Sequence, residues 1–430
     1  MGRILVIGAT GLIGSRIASE LVSAGHEVVG AARDVGSASR RMPAVEWVCL
    51  DFATSGVADW EAALAGVEAV VNCAGALQSG PADRLEETHC HGPQVLIAAC
   101  LARGVSRIIH FSAIGVDRAT PTEFSRTKLA GDAALMASDL DWIILRPSVV
   151  LGDPAYGASA LIRGLAALPI LPVMPNTAPL QPVALDDVAA TVVRLLEPGA
   201  ASRIVLELAG PEAMSFTDVV RHYRRWLGWG PAAEMRLPAW LAQILYRLGD
   251  FAAEFGWRPP VRTTAEREIA RGAVGDSSAW QRLTGIAPMS LADVLAARPA
   301  SVQENWFARL YLLKPLVLIS LALLWIGSGL ASLGPGYETG HALLAHTLGG
   351  PVIDLVIIAG GIADLLIGVG IAVRRTARPA LITGIVVSLL YAAAGTLFTP
   401  WLWLDPLAPL LKIAPIVALL LVALATLEDR

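Results

Sequence analysis

Three glycines near the start of the chain, Gly8, Gly11 and Gly14, have a spacing that suits phosphate binding. A β-branched run at residues 4–7 precedes them and apolar residues at helical spacing follow, which predicts a strand, a turn and a helix. Gly8 permits the tight turn, Gly11 lets backbone approach a pyrophosphate, and Gly14 lets the helix pack close to the strand. Because the first N–H groups of a helix lack intrahelical partners, they bind phosphate. The pattern therefore predicts a dinucleotide site.

The end of the second predicted strand bears on which dinucleotide is bound. A carboxylate at that place accepts the ribose hydroxyls of NAD, whereas an arginine pairs with the 2′-phosphate of NADP. The strand ends in Arg33, with Asp34 immediately beyond and Arg40 and Arg41 nearby as potential helpers. We therefore expect NADP(H) rather than NAD(H). The alternative is that Asp34 turns inward and Arg33 is a plain surface residue.

The glycine spacing and four later segments together resemble the short-chain dehydrogenase/reductase (SDR) superfamily, in its extended and atypical branches. Within it, the His91-Gly-Pro and Phe111-Ser-Ala-Ile-Gly segments resemble the group that includes an accessory subunit of NADH:ubiquinone oxidoreductase. The resemblance implies a Rossmann fold, that is, a doubly wound parallel sheet. The later segments are Val70-Val-Asn72-Cys-Ala-Gly75, Arg107-Ile-Ile-His-Phe-Ser112-Ala, Leu145-Arg146-Pro147-Ser-Val-Val-Leu-Gly152 and Gln181-Pro-Val-Ala-Leu-Asp-Asp187-Val-Ala.

The resemblance also implies which residues meet the cofactor. Asp51, at the end of the third predicted strand, is similar to the aspartate with which the family contacts adenine, and Lys128 to the lysine that binds the nicotinamide ribose. The expected cofactor-binding set is Gly8, Thr10, Gly11, Leu12, Ile13, Gly14, Arg33, Asp51, Cys73, Ala74, Gly75, Lys128, Arg146 and Pro147.

The catalytic motif of that superfamily is incomplete here. Its hydride-transferring members use Tyr-x-x-x-Lys, in which the lysine lowers the tyrosine pKa so that the phenol exchanges a proton with the substrate. This chain has Phe124 four residues before Lys128. Ser112 and Lys128 are expected to orient the reacting groups, but the general acid is missing. Ser125 follows Phe124 but points about 100° away from it on the helix, so its hydroxyl should not reach the substrate. Tyr156 is the other candidate to replace the missing general acid.

Other kinds of site find less support. The net charge of −4 and the lack of a long basic tract disfavour nucleic acid as a partner. His89, Cys90 and His91 are consecutive, and helical metal ligands need a spacing of three or four to share a face. We expect no metal site.

Beyond about residue 310, charged residues become sparse and four apolar stretches appear. They cover residues 315–333, 352–373, 380–398 and 407–427, each long enough to cross about 30 Å of hydrocarbon. Their number, length and Gly/Asp-bearing second member resemble the DoxX-like family of bacterial membrane proteins, some of which act in quinone-linked oxidation. That resemblance covers roughly residues 305–430.

Loop charges predict how these spans are oriented. Arg374, Arg375 and Arg378 fill the loop between the second and third spans, whereas loops 334–351 and 399–406 hold no lysine or arginine. By the positive-inside rule both termini are cytoplasmic. The chain begins without a secretory signal, which agrees with this orientation. We expect a multi-pass protein of a bacterial-type inner (cytoplasmic) membrane.

Two further features, one inside a predicted span and one before the spans, are candidates for a function at the membrane. Asp364 falls near the middle of the second span, where a carboxylate is costly enough to suggest a function; the alternative is a hydrogen-bonded packing residue. It shares a stripe with Gly360, Gly368 and Ala372 that lets another helix approach closely. Residues 237–248 form an amphipathic, tryptophan-bearing segment that is a hypothetical bilayer-docking element.

Taken together, the sequence predicts an NAD(P)-binding domain at 1–300, with a nucleotide-binding core at about 1–150 and a small helical substrate or interface region at about 150–300. A linker at 301–314 and a four-helix membrane bundle at 315–430 follow. We expect an NAD(P)H-dependent oxidoreductase that acts on a lipophilic, quinone-like molecule or a membrane redox partner. The alternative is a nucleotide-binding structural or assembly protein without turnover. Nucleotide-sugar isomerisation is disfavoured because it needs the tyrosine that Phe124 replaces.

Overall fold

A computed structural model describes residues 2–80 and 84–427 of the chain. Its contacts divide the chain into two compact units. The first contains Met1–Asp250 and Pro259–Ala308, and the second contains Phe251–Arg258 and Arg309–Arg430. The segment expected to be a linker, 301–314, is largely helical, and its residues up to Ala308 group with the first unit.

The first unit is built on a parallel sheet of seven strands in the order β10-β6-β5-β4-β1-β2-β3. The chain order reverses between β1 and β4, and ligands of such sheets bind beyond the carboxyl ends of the strands at this reversal. This confirms the predicted doubly wound Rossmann fold. The strands are β1 (Arg3–Ile7), β2 (Glu27–Ala32), β3 (Glu46–Cys49), β4 (Ala69–Asn72), β5 (Arg107–Phe111), β6 (Asp141–Pro147) and β10 (Ile204–Leu208).

Helices cover both faces of this sheet, so the central strands are apolar on both sides, as parallel sheets require. Two separate clusters of buried side chains result, one on each face. The helices are α1 (Leu12–Ser23), α2 (Val35–Arg41), α3 (Val57–Ala63), a π-helix (Glu87–His91), α4 (Gly92–Arg103), α5 (Glu123–Met136), α7 (Leu185–Leu195) and α11 (Ser278–Thr284).

The remainder of the first unit is the mostly helical region expected after the nucleotide-binding core. It has its own buried cluster, which includes Leu151, Phe216, Tyr223 and Leu291. Its elements are the short strands β7 (Val150–Leu151), β8 (Ile170–Val173), β9 (Val183–Ala184) and β11 (Ala233–Arg236), and the helices α6 (Ala158–Ala166), α8 (Phe216–Trp226), α9 (Ala239–Glu254), α10 (Thr263–Arg271), α12 (Leu291–Ala296) and α13 (Val302–Tyr311). The last residues of α9 and of α13 group with the second unit.

Among its described residues, up to 427, the second unit contains three helices that are long and apolar enough to cross a membrane. They are α14 (Leu313–Leu333), α16 (Gly350–Ala372) and α17 (Ala377–Phe398), and they match the first three predicted spans. The connection from α14 to α16 contains α15 (Tyr337–Leu344), and a 3₁₀ helix (Pro400–Trp403) follows α17.

The fourth predicted span, 407–427, is shorter in the structure. The helix α18 covers only Ile413–Thr426, 14 residues, or about 21 Å of rise. Ala408 adopts a left-handed conformation, with φ of 46°, immediately before Pro409. Since a residue before proline is disfavoured in the α region, the helix cannot extend back to 407. Lys412 therefore lies at the start of α18 rather than within a span.

Candidate functional site

The glycine turn between β1 and α1 is shaped by its backbone. Gly8 has φ of 73°, and a Cβ there would lie 2.9 Å from the backbone nitrogen of Ala74. A Cβ on Gly14 would lie only 2.3 Å from the carbonyl oxygen of Gly8. Gly11 caps α1 without a side chain, which leaves the first N–H groups of the helix accessible. The geometry fits a phosphate-binding turn. Thr10, Leu12 and Ile13 lie on the same turn, exposed or half-buried.

At the end of β2, the two residues that bear on cofactor choice behave differently. The Asp34 carboxylate caps α2 by accepting a hydrogen bond of 3.0 Å from the backbone N–H of Ser37. One oxygen of this exposed carboxylate is therefore engaged by the first turn of its own helix. Arg33 is exposed beside it. At the end of β3, Asp51 accepts a 3.1 Å hydrogen bond from the Ala53 N–H.

The turn after β4 is held by a buried amide. The Asn72 side-chain oxygen accepts a hydrogen bond of 3.1 Å from the Ala74 N–H, and its nitrogen lies 3.1 Å from His110 Nδ1 on β5. Burial raises the pKa of the Cys73 thiol, so the thiol stays protonated. A Cβ on Gly75 would lie 3.3 Å from Lys128 Nζ. The structure thus brings 73–75 and Lys128 together.

Lys128 bridges the ends of two neighbouring strands. Its Nζ donates hydrogen bonds of 2.6 Å to the Phe111 carbonyl and 3.5 Å to the Ala74 carbonyl, and the residue is 4% exposed. Burial lowers its pKa from 10.5 to about 8, with Asp132 opposing the shift. The ammonium group lies where the carboxyl ends of β4 and β5 meet. We call this region, with the glycine turn, the cofactor crevice.

Ser112 and Arg146 meet at a different group, the buried Asp132 on α5. Ser112 Oγ donates a 2.9 Å hydrogen bond to Asp132 Oδ2, and Arg146 donates two, at 3.1 and 3.0 Å. Burial raises the pKa of Asp132 above its usual value, and the hydrogen bonds and charge from Ser112 and Arg146 offset only part of this rise. The Pro147 carbonyl accepts the Ile114 N–H. A cleft of ≈ 550 Å³ borders Asp132 and Arg146.

At the position of the missing tyrosine, Phe124 packs edge-on against His89, with ring centroids 5.6 Å apart. His89 Nε2 accepts the Ala76 N–H at 3.3 Å, and Nδ1 lies 2.9 Å from Thr127 Oγ1. Burial, aided by the nearby Lys128 charge, lowers the pKa of His89 to about 2. This histidine is therefore neutral at physiological pH and is a poor proton donor.

The beginning of α5 is held by a carboxylate from α10. Thr122 caps the helix and also donates to Glu268, which accepts a second hydrogen bond of 2.9 Å from Ser125 Oγ. Ser125 therefore faces Glu268, as its helical position predicts. Tyr156 is half-buried in the loop before α6, with its N–H donating to Ser159 Oγ.

The structure brings together three potential metal ligands that the argument from helical spacing did not group. Glu86, Cys90 and His91 bring their ligand atoms within 4.8 Å of one another, whereas His89 points inward to Thr127. The expectation assumed α-helical spacing, but this segment is a π-helix, whose wider turn changes which residues share a face.

In the second unit, Asp364 joins three apolar helices. Ser328 on α14 donates a 2.6 Å hydrogen bond to Asp364 Oδ2, and Tyr391 on α17 donates one of 2.8 Å to Oδ1. Asp364 is 3% exposed, whereas Tyr391 is 40% exposed. A Cβ on Gly368 would lie 2.7 Å from the Ile326 nitrogen, so α14 and α16 are in close contact there.

Sequence reasoning missed Asp132, His89 and Glu268 as members of these networks. Asp132 follows Lys128 by four residues, one helical turn, and this spacing is a signal that could have identified it. The partners of His89 and Glu268 are distant in sequence, so local spacing holds no comparable signal for them.

Comparison with protein families supports the assignment of both units. Residues 8–198 match the NAD(P)H-binding family model, and residues 322–421 match the DoxX-like family. The chain joins an SDR-like NAD(P)H-binding domain to a DoxX-like domain. The membrane association expected from the sequence agrees with this second match and with the three long apolar helices.

Relatives with assigned names resemble the first unit. A ceramide reductase from Caulobacter vibrioides is 25% identical over 55% of this chain and 74% of its own length. NADH dehydrogenase [ubiquinone] 1 alpha subcomplex subunit 9 is 24% identical in Dictyostelium discoideum and in Arabidopsis thaliana, over 50% and 57% of this chain. The chain spans 60% and 63% of those subunits.

Solved structures share the fold of the first unit. UDP-glucuronic acid 4-epimerase from Bacillus cereus, in complex with UDP-glucuronic acid and NAD, aligns with a TM-score of 0.52 and 19% identity over 72% of this chain and all of its own. WbmG from Bordetella bronchiseptica, in complex with NAD and UDP, gives 0.53 and 17% over 71% and 96%. These likenesses establish the Rossmann-type fold.

Proposed function

We propose that this SDR-like oxidoreductase uses NADP(H) to reduce a lipophilic, quinone-like acceptor at the cytoplasmic face of a bacterial-type inner membrane. The observation that carries the proposal is the contrast within the first unit. Its glycine turn has the backbone geometry of a phosphate site, and Lys128 lies at the end of β5, whereas Phe124 has no proton to donate to a substrate. A quinone accepts hydride and takes its protons from water or other groups, so it tolerates the missing phenol.

The preference for NADP(H) rests on Arg33 and Asp34. Because Oδ1 of the Asp34 carboxylate caps α2, this oxygen is already engaged and does not accept from the ribose hydroxyls that an NAD-specific site would bind. The exposed Arg33 guanidinium is suited to a 2′-phosphate, which it can bind through two parallel hydrogen bonds. The nicotinamide supplies the hydride when the cofactor is bound.

We assign Lys128 and Ser112 distinct roles around that cofactor. Lys128, at the ends of β4 and β5, binds the nicotinamide ribose and orients the reacting end. Ser112 donates to Asp132, which lies one turn beyond Lys128 on α5. It therefore acts as a positioning residue that fixes α5 rather than as a proton donor.

For the membrane module, we propose that Asp364, in the interior of α16, binds the polar group of a lipophilic molecule within the bilayer, at a place distinct from that of hydride transfer. Its two donors come from separate helices, and one of them, Tyr391, is partly exposed on the flank of the bundle. A polar group of this kind is costly in hydrocarbon and is therefore a functional candidate. Arg374 and Arg375 between α16 and α17, with Arg378 in the first turn of α17, support the assignment of that end of the helices, and of both termini, to the cytoplasm.

The names of relatives favour a lipophilic substrate but also raise a second function. One relative is named as a reductase of ceramide, and others are named as subunits of an NADH dehydrogenase [ubiquinone]. Reduction of a lipid ketone needs a proton donor, and Phe124 is not one, so the quinone class is favoured. The same substitution favours the second candidate, a non-catalytic accessory protein that binds NAD(P)H within a membrane complex.

Steady-state oxidation of NADPH by the purified full-length protein in lipid nanodiscs tests the proposal. We expect turnover with a short-chain quinone and little with a long-chain ketone. Saturable NADPH binding with no turnover on either acceptor would overturn the enzyme assignment in favour of the accessory role. Faster turnover on the ketone would overturn the quinone class alone.

A further inference from the structure

The helix α9 exposes large apolar side chains along one face. Trp240 and Phe251 are 64% and 63% exposed, Leu248 is 56% exposed and Ile244 is 45% exposed. At 100° per residue these four positions fall within an arc of about 80°, and Phe255, just beyond the helix, continues it. Monomeric soluble proteins rarely expose contiguous apolar patches of this kind.

The other sides of α9 have different characters. Ala242, Tyr246 and Ala253 are at most 5% exposed and lie roughly opposite the apolar face. Gln243 and Arg247 are exposed on the side between them. The helix is therefore packed along one side, polar along a second and apolar along a third, so its exposed apolar face is not a core face.

The end of this helix is part of the membrane unit. Phe251–Arg258 groups with the apolar bundle, and the Phe255 carbonyl accepts a hydrogen bond from the Arg374 N–H. Trp257 Nε1 donates a 2.7 Å hydrogen bond to the Ala372 carbonyl, at the last residue of α16. The Arg374 guanidinium lies 5.6 Å from the Trp257 ring. The segment after α9 is thus fixed at the arginine-bearing end of a membrane-crossing helix.

We propose that α9 is an interfacial helix whose apolar face is embedded in the cytoplasmic leaflet of the bilayer. Tryptophan and phenylalanine on an amphipathic helix are typical of residues at the boundary between headgroups and acyl chains. Arg375, in the loop after α16, and Arg378, in the first turn of α17, are exposed at this end of the bundle and suit anionic headgroups. The proposal does not depend on catalysis, because it needs only the helix and the bundle.

Fluorescence quenching of a bimane label tests this placement in the full-length protein. Ile244→Cys is compared with the matched control Gln243→Cys, on the exposed polar side of the same helix, after Cys49, the exposed native thiol, is replaced by serine. Both proteins are placed in nanodiscs that contain anionic lipid. Aqueous iodide and a nitroxide-bearing lipid are the quenchers, and NADPH binding verifies that both variants are folded.

We expect the label at 244 to be quenched by the nitroxide lipid and to be roughly threefold less sensitive to iodide than the label at 243, because an interfacial face lies ~5–10 Å below the surface. Equal iodide quenching at the two positions would overturn the proposal, since the face would then be in water. Shielding of 244 from both quenchers would also overturn it and would indicate a second protein chain on this face.

Discussion

Two parts of the cofactor crevice differ in how they depend on the sequence. At the glycine turn after β1, the proposed binding relies on backbone, because a Cβ at Gly8 or Gly14 would come within 3.0 Å of other backbone atoms. At α5, the chemistry relies on side chains, and Phe124 stands where a phenol would act. Nucleotide binding and proton transfer are therefore separable properties of this fold.

The glycine turn should be the least tolerant part of the crevice. Gly14→Val places a side chain against the Gly8 carbonyl, since even a Cβ would approach it to 2.3 Å. We expect NADPH affinity to fall about 100-fold, or ~3 kcal/mol. Isothermal calorimetry measures this.

Gly230→Ala is the matched control, because nothing lies within 4 Å of a Cβ there. It should leave affinity unchanged. Wild-type NADPH affinity in Gly14→Val would contradict the assignment of this turn as the phosphate site.

Lys128 should give the crevice a pH dependence. In the role proposed for it, the ammonium form donates to the cofactor, and the pKa of the buried group is about 8, so NADPH affinity should fall as the pH rises through 8. Lys128→Met should lower kcat/KM roughly 30-fold and flatten this profile. Binding titrations from pH 6 to pH 9.5 measure it.

The same shift has an opposite consequence for stability. Because the folded-state pKa is lowered from 10.5 to about 8, the unfolded chain binds more protons between these values, and the free energy of unfolding gains a contribution that grows with pH.

A Lys128→Met protein that keeps the wild-type pH profile of NADPH affinity would assign the profile to another group.

The residue after β2 should set cofactor preference with a smaller effect. Arg33→Ala should weaken NADPH binding about tenfold and leave NADH binding unchanged, because only the 2′-phosphate is lost as a partner. Arg103→Ala, in the last turn of α4 and exposed, serves as a comparison for general surface charge. Equal losses for both cofactors in Arg33→Ala would indicate a role other than phosphate recognition.

Restoring the phenol should have the smallest effect on quinone reduction. We expect Phe124→Tyr to change the rate with a short-chain quinone by less than about twofold, since that reaction needs no side-chain acid. Activity toward a ketone should rise instead. Parallel rate measurements on both acceptors test this, and a large gain with the quinone would show that proton donation limits its reduction.

The sequence predicted the features that depend on local spacing. The glycine turn, the strand ends and three long apolar helices follow from residues close together in the chain, and the structure has them. It could not predict that Ser112 and Arg146 converge on Asp132, because strands β5 and β6 and helix α5 meet only in the folded sheet. The fourth span was overestimated because hydropathy does not register the backbone restriction before Pro409.

The most direct test of the account is a single-turnover measurement on the full-length protein in nanodiscs that contain a lipophilic quinone. NADPH and its 4-deuterated form are mixed with the protein, and the loss of reduced nicotinamide absorbance is followed. We predict oxidation of the bound cofactor with a primary deuterium isotope effect, since breaking the C4–H bond is the chemical step. Saturable NADPH binding without oxidation would contradict the account and indicate an accessory, non-catalytic protein.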